Sequence, residues 1–451
     1  MRPKLREPIA VLGYGLEGKS TLRYLQNRGY REITVLDRVV PSEPLPADIH
    51  GRFGEDYLQG LQGIHTAIRS PGLRPLVSEI EAFKKQGGAL TSQVEIALES
   101  LDRRRIIGVT GTLGKGTCCS LLSAMLIRGG VSHRLAGNIG LPPLDVVEDL
   151  KPDEWLLLEL SSFQLSTLNQ SPGVAVILRT TSEHLDWHAS QAEYWDHKAN
   201  LARHQGPKDL CVYFADTEGS AWIGSLGQGR KISFGQTGDM RLSEQGIEWP
   251  ERGFQLHLDE TQLLGAFNLE NLASAATVAL ELGVSAENVC NAAKDFAPLE
   301  HRLEFVRNVD GISYYNDSYA TRPEAALAAV RALRGKPLGL ILGGSEKFAD
   351  FTELAQGLAS ESHLSAIALI GHTAHRLETE LRVAGAFNQS KYRICNSLEE
   401  ALEFLRSEIS SGSILLSPAC ASFGLFANYK ERGYAFKRCV DSLPSDSRPG
   451  K

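Results

Sequence analysis

The chain has 451 residues, 42% of them apolar and 22% charged, with a formal net charge of −7. That length exceeds what one hydrophobic core usually serves, so two or three domains are expected, and the acidic balance argues against a surface built for nucleic acid. No apolar run approaches the roughly 20 residues of a membrane span, the seven cysteines show no C-x-x-C pairing, and the start Met-Arg-Pro-Lys-Leu lacks a signal peptide's apolar stretch; a cytoplasmic protein with reduced thiols and no membrane partner is expected.

Residues Ile9 to Leu12 read as a buried strand leading into Gly13-Tyr14-Gly15-Leu16-Glu17-Gly18. A helix from Ser20 to Arg28 and a second strand, Ile33 to Leu36, follow, and the strand ends at Asp37. Strand, G-x-G-x-x-G, helix, strand and acid form the dinucleotide fingerprint. Two readings stay open: a nicotinamide site, or a doubly wound domain whose first turn holds another nucleotide's phosphates or none. Ser70-Pro71-Gly72-Leu73, after Ala67-Ile68, is a further turn at the strand ends. A boundary is placed near Thr91-Ser92, giving a first domain over 1–92. The run Arg103-Arg104-Arg105 reads as a solvated face rather than a nucleic-acid patch.

The stretch Ile106-Ile107-Gly108-Val109-Thr110-Gly111-Thr112-Leu113-Gly114-Lys115-Gly116-Thr117 has the strand, loop, helix order of a phosphate cradle. Its glycines let backbone N–H groups converge on an anion, the helix N-terminus adds partial positive charge, and Lys115 a full one. Against G-x-x-x-x-G-K-[ST], Val109 stands at the first glycine and Gly116 at the hydroxyl, with Thr117 the nearest hydroxyl. Gly137-Asn138-Ile139-Gly140 is another turn. The strand Trp155 to Leu158 ends in Glu159, placed as a magnesium-holding acid or as a capping residue. Strand Val174 to Leu178 precedes Ser182-Glu183-His184-Leu185-Asp186-Trp187-His188, whose two histidines and two acids favour a metal or phosphate role, and a helix from Gln191 to His204 carries Lys198. Residues 211–262 are turn-rich and strand-like, with no chemistry to read. The helix that follows Gly265 carries Asn268 and Asn271 on one face, to read a base edge or to cap. Pro298 marks a second hinge, so the central domain runs over 93–299.

From residue 300 the pattern alternates strand and helix: Ile312 to Tyr315, a helix Pro323 to Leu333, Pro337 to Leu342, and so on to Ser413 to Leu416. This implies a mostly parallel sheet with both faces covered. Asp317, Ser318, Thr321, Lys347 and Ser422 fall at or beyond its strand ends, where open α/β sheets bind ligands. The expected fold is α/β in three domains: a Rossmann-like N-terminal domain, a central P-loop ATPase-like domain and a Rossmann-like C-terminal domain.

Seven stretches in order, Gly-Val-Thr-Gly-Thr-Leu-Gly-Lys-Gly-Thr, Glu-Leu-Ser-Ser-Phe-Gln-Leu (159–165), His-Leu-Asp-Trp-His (184–188), His-Arg-Leu-Glu (301–304), Asn-Asp-Ser-Tyr-Ala-Thr (316–321), Leu-Gly-Gly-Ser-Glu-Lys (342–347) and Ser-Pro-Ala-Cys-Ala-Ser-Phe (417–423), together resemble the Mur ligases of bacterial cell-wall synthesis. The Ser161-Ser162-Phe163-Gln164 and 417–422 runs favour the glutamate-adding branch. The resemblance implies ATP-dependent amide formation through an acyl phosphate, with UDP-N-acetylmuramoyl-L-alanine and D-glutamate as substrates and a monomeric enzyme.

The same resemblance implies roles. Gly111, Thr112, Gly114, Lys115, Gly116 and Thr117 would hold the phosphates of ATP, Arg302 its γ-phosphate, Asp317 the ribose, and Asn268 and Asn271 the adenine. Thr117 and Glu159 would hold one magnesium; His184 and Lys198, the latter carbamylated, a second. Gly15, Leu16, Asp37, Ser70 and Gly72 would take the UDP, Asn138, Ser161 and Gln164 the muramoyl-alanine, and Thr321, Lys347, Ser422 and Phe423 the D-glutamate. Leu113, Gly116, Phe267, Tyr319 and Glu183 depart from the family pattern, where asparagine, a hydroxyl residue, histidine, lysine and aspartate are usual. A folylpolyglutamate-type ligase and a non-catalytic UDP-sugar-binding relative are the alternatives.

Overall fold

The computed structural model describes residues 5–184, 187–346 and 349–444. Their backbone forms two compact units, one of residues up to 261 with 269–296, the other of 262–268 with 297 onward. The first unit carries two sheets and the second one.

The N-terminal sheet is built from β1 (Ile9–Leu12), α1 (Leu16–Asn27), β2 (Ile33–Asp37), β3 (His50–Phe53), β4 (Thr66–Arg69), α2 (Ser78–Lys85) and β5 (Ala89–Ser92). Its strands are parallel in the order β3-β2-β1-β4-β5. β1 is apolar and fully buried because a parallel strand is covered on both faces. The strand order reverses between β1 and β4, so the turns after these two strands open the crevice where such sheets bind ligands. Gly18 is required there: a Cβ would stand 1.9 Å from the Gly13 carbonyl oxygen. α1 starts at Leu16, four residues earlier than the sequence suggests.

The second sheet contains α3 (Gln93–Ser100), β6 (Ile106–Thr110), α4 (Lys115–Arg128), β7 (His133–Gly137), α5 (Pro143–Val147), β8 (Trp155–Glu159), α6 (Ser162–Leu165), β9 (Val174–Ile177), α7 (Gln191–Arg203), β10 (Leu210–Phe214), α8 (Glu218–Ser225), β11 (Arg230–Gly235), β12 (Met240–Leu242), β13 (Gly246–Trp249), β14 (Phe254–His257), α9 (Ala266–Glu281) and α10 (Ala286–Asp295). β6 lies between β8 and β9, parallel to both, so the Gly111–Gly114 loop opens directly beside the ends of those strands. The strand-like text after Cys211 becomes β10 to β14, of which β13 is antiparallel to both its neighbours. Ser92 and Ser190 cap α3 and α7 by accepting from the third backbone N–H of each helix.

The second unit holds β15 (Glu304–Val309), β16 (Ile312–Asn316), α11 (Pro323–Ala332), β17 (Leu338–Gly344), α12 (Thr352–Ala359), β18 (Leu364–Gly371), α13 (Ala374–Val383), β19 (Lys391–Cys395), α14 (Leu398–Glu408), β20 (Gly412–Leu416) and α15 (Tyr429–Asp441). The order is β15-β16-β20-β17-β18-β19, parallel except for β15. Buried apolar clusters cover both faces of this sheet. All seven cysteines are free thiols. No helix among the described residues is long and apolar enough to cross a membrane.

Candidate active site

The loop between β6 and α4 is shaped by Gly114, which is left-handed (φ 86°) and lies where a Cβ would meet the Asn271 side-chain oxygen at 2.2 Å. Lys115 begins α4 and turns its amine back over the loop, donating to the carbonyls of Gly111 and Thr112 at 3.0 Å each. Thr112 Oγ1 accepts from the Thr181 N–H at 2.9 Å and lies 3.0 Å from the Tyr194 hydroxyl, which ties the loop to the ends of β9 and α7. Thr117 is buried in the first turn of the helix, and Gly116 beside it leaves the helix N-terminus without a side chain there.

Lys198, on α7, reaches this loop from below. Only 1% of it is exposed. Its Nζ donates to the Gly111 carbonyl at 2.9 Å and to Thr110 Oγ1 at 3.2 Å, and it stands 4.7 Å from the centre of the Tyr194 ring. Burial drives its pKa well below the usual lysine range, and the neighbouring Lys115 ammonium pushes the same way; Glu183 and Glu159 oppose both. Glu159, buried at the end of β8, accepts from Asn138 Nδ2 at 3.0 Å. It is not a capping residue, because Ser161 caps α6.

His184 adopts φ 55°, uncommon for a residue with a Cβ, and its ring packs 4.8 Å from Phe163. Phe163 also meets Trp187 and His188. His188 is buried between Ser162 Oγ (3.0 Å from Nε2) and His197 Nδ1 (3.1 Å from Nδ1). Burial, then the neighbouring His197, holds the His188 pKa down to about 4, so it is a neutral ring at physiological pH. His197 was not legible in the sequence. Leu185 and Asp186 lie outside the described residues, as does Lys347.

The crevice of the N-terminal sheet gathers the residues expected to take UDP. Both Asp37 carboxylate oxygens accept backbone N–H groups, from Tyr14 at 2.5 Å and Val39 at 2.8 Å, which fixes the Gly13–Gly18 turn. Gly15 is the residue before α1 and Leu16, its first residue, is largely exposed. Ser70 Oγ donates to the Gly13 carbonyl at 3.2 Å, and the Gly72 carbonyl accepts from Trp187 Nε1 at 3.3 Å. Gln164 is more tightly held than the sequence indicates: its side-chain oxygen accepts from the Ser161 N–H at 3.0 Å, and its Nε2 donates to Glu17 Oε1 at 2.8 Å. Glu17 is thereby a crevice residue that the sequence reading passed over.

In the second unit, Arg302 sits between His301 (φ 65°) and Leu303 (φ 48°), both left-handed. Such a turn needs external support, and it has two anchors. Glu304 Oε2 accepts the His301 N–H at 2.9 Å, and Asp317 Oδ1 accepts the Leu303 N–H at 3.0 Å. Asp317 Oδ2 accepts from Ser417 Oγ at 2.7 Å; burial raises its pKa to about 7. The Arg302 guanidinium lies over the Tyr319 ring, 3.8 Å from its centre. Buried Arg432, also missed in the sequence, donates to the carbonyls of Ser318, Cys420 and Ala421 and to Ser318 Oγ, fastening the loop after β16 to the loop after β20. Thr321 and buried Ser422 flank these fastened stretches, Phe423 is exposed, and Asn268 Nδ2 donates to the Leu264 carbonyl at 2.8 Å. Glu300, His301 and Glu304 are spaced as metal ligands, but the Lys437 ammonium already bridges both carboxylates, at 3.1 and 2.6 Å.

Residues 109–279 match the family model of the Mur ligase middle domain, and residues 301–420 that of the Mur ligase, glutamate ligase domain. Over 98% of its length the chain is 34% identical to the UDP-N-acetylmuramoylalanine--D-glutamate ligase of Symbiobacterium thermophilum, covering 99% of that protein. The chain belongs to the Mur ligase family. Members of this family are ATP-dependent ligases that form amide bonds, and this chain is one of them. The ligase of the same name from Acetivibrio thermocellus is 33% identical, with 96% of each chain covered. The Mur ligase fold is shared with two solved structures from Thermotoga maritima: a UDP-N-acetylmuramate-alanine ligase (TM-score 0.60, 16% identity, 96% of this chain and 98% of that one) and a MurF ligase in complex with ADP (TM-score 0.61, 18% identity, 97% and 96%).

Proposed function

We propose that this Mur ligase joins D-glutamate to UDP-N-acetylmuramoyl-L-alanine through an acyl phosphate, as a cytoplasmic monomer. The observation that carries the reading is the buried, easily deprotonated Lys198 amine hydrogen-bonded to the phosphate-loop carbonyl of Gly111. An amine kept neutral can take up carbon dioxide, releasing a proton and leaving a carbamate, which turns a buried nitrogen into an anionic oxygen ligand. An ordinary lysine, with a pKa near 10.4, is protonated and unreactive at neutral pH.

Thr117 and Glu159 offer oxygen donors beside the loop, which suits magnesium; His184 and carbamylated Lys198 would hold a second ion. Magnesium would neutralise charge on the phosphates and the attacking carboxylate. Lys115 and the loop N–H groups bind the β- and γ-phosphates, and Arg302 the γ-phosphate, so that the developing negative charge meets fixed positive charge. Asn268 and Asn271 take the adenine and Asp317 the ribose. The carboxylate of the muramoyl-alanine attacks the γ-phosphorus in line, the bond to the β–γ bridging oxygen breaks and ADP leaves, giving the acyl phosphate; the neutral D-glutamate amine then attacks the acyl carbon, and phosphate leaves as the nitrogen loses a proton and the amide forms. Gly15, Leu16, Asp37, Ser70 and Gly72 take the UDP, Asn138, Ser161 and Gln164 the muramoyl-alanine, and Thr321, Lys347, Ser422 and Phe423 the D-glutamate. Domains over 1–92, 93–299 and 300–451 are proposed to supply these three groups of residues.

The test is phosphate release from Mg-ATP and UDP-N-acetylmuramoyl-L-alanine with D-glutamate against L-lysine, meso-diaminopimelate and L-alanine. Release should require D-glutamate; release that persists when D-glutamate is omitted overturns the reading.

A further inference from the structure

Arg69 ends β4, a strand otherwise of Thr, Ala and Ile, and is 1% exposed. Its guanidinium has no direct carboxylate partner among the described residues. Instead one arm, Nη1, donates to the carbonyls of Ser70 (3.3 Å), Pro71 (3.1 Å) and Leu73 (2.7 Å), so that a single turn wraps around it. The other arm, Nη2, donates to the Phe163 carbonyl (2.8 Å) and to Ser166 Oγ (2.9 Å) on the far side of the crevice. Ser166 Oγ in turn donates to the Phe163 carbonyl at 2.9 Å.

The connection closes on itself. Phe163 packs on Trp187, with ring centres 4.7 Å apart, and Trp187 Nε1 donates to the carbonyl of Gly72, inside the turn that Arg69 holds. Burying a guanidinium is costly; here both Nη arms are bonded while the buried Nε finds no hydrogen-bond partner among the described residues, and a neutral residue would fill this end of β4 without that cost. Burial lowers the Arg69 pKa only to about 10, opposed by the charges of Glu17 and Glu95, so the side chain remains a cation. A planar fork with two arms can set both the separation and the mutual orientation of two turns, which an ammonium cannot.

We propose that Arg69 is a positioning residue for the muramoyl-nucleotide substrate: it fixes the 70–73 turn against the 161–166 turn without touching the substrate. This rests on the functional reading above, which assigns Ser70 and Gly72 to one part of that substrate and Ser161 and Gln164 to another.

The experiment compares wild type, Arg69→Lys and Ser166→Ala by titration calorimetry with UDP-N-acetylmuramoyl-L-alanine, by steady-state KM for that substrate and for ATP, and by thermal unfolding. Arg69→Lys should raise Kd and KM for the muramoyl nucleotide by about tenfold or more, as the loss of charge-assisted hydrogen bonds implies, while KM for ATP stays within about twofold. Ser166→Ala removes one acceptor on the far side and should move the same two constants in the same direction, by a smaller factor. Should Arg69→Lys fail to fold, Ser166→Ala still decides. Variants of an active enzyme that bind the muramoyl nucleotide as wild type does, or that weaken ATP and muramoyl nucleotide equally, overturn the inference alone. A wild-type protein that forms no amide with this substrate overturns the functional reading, and the inference with it.

Discussion

The guanidinium of Arg302 stands 3.8 Å from the centre of the Tyr319 ring, and Tyr429 packs edge-on against the same ring at 4.9 Å. The family pattern that the sequence resembles has lysine as the common residue where this chain has Tyr319. Tyr319 offers Arg302 a ring face in place of that positive charge. Cation–π contacts at partly exposed sites contribute about 0.5–2 kcal/mol. Tyr319→Ala is therefore expected to raise the KM for ATP by roughly 2- to 30-fold, and Tyr319→Phe to leave it near wild type. Equal effects of the two substitutions would show that the ring face is not what places the arginine.

Lys115 lies on the loop carbonyls through two 3.0 Å hydrogen bonds, its charge held where phosphate would arrive. Lys115→Ala should lower the rate of amide formation by about 100-fold or more, the loss seen when one preorganised charge donor is removed. Lys115→Arg should not restore it, since a planar fork does not fit the point occupied by an ammonium. An undiminished rate in Lys115→Ala would falsify the assignment of this loop to the transferred phosphate.

Lys198 should carry a carbamate when the protein is held with bicarbonate. A carbon-13 carbamate resonance from labelled bicarbonate, absent in Lys198→Met, is the expected signature. The same substitution should abolish turnover while moving Tm by only a few degrees, because a buried amine is replaced by an apolar chain of similar length. A spectrum without that resonance, together with full activity in Lys198→Met, rules the role out.

Glu95 is buried on α3, accepts from Thr91 Oγ1 at 3.0 Å, and has its pKa raised by burial to about 7. In the unfolded chain it titrates near 4.3. Between those values the folded protein keeps a proton that the unfolded chain has released. Stability therefore falls as pH rises from about 4.3 to 7, and above that the full cost of a buried carboxylate is present. Glu95→Gln should flatten this slope and raise Tm at pH 8, with little change at pH 4. A Tm at pH 8 equal to or below wild type would contradict the burial argument.

Much of the fold was legible because buried parallel strands are plain apolar runs: β1, β6, β8, β9, β17 and β20 stand where the pattern predicts. β3, with the sequence His-Gly-Arg-Phe, and the polar α15 carry no such signal, and they form because neighbouring strands and helices hold them. The glycine turns, Lys115 and Glu159 could be placed at strand ends from the sequence, since each lies at or within a few residues of the end of a buried strand.

The sequence by itself determined the glycine loop that carries Lys115, the order of its motifs and membership of the Mur ligase family, because those depend on residue types at short spacing. Only the tertiary structure decided that Lys198 is buried where its charged form is disfavoured, that the Gln164 carboxamide, besides its local bond to Ser161, reaches Glu17, and that Arg69 and Arg432 each fasten two loops. Desolvation, and hydrogen bonds between residues about a hundred positions apart, are properties of what surrounds a side chain, and local sequence does not contain that surrounding.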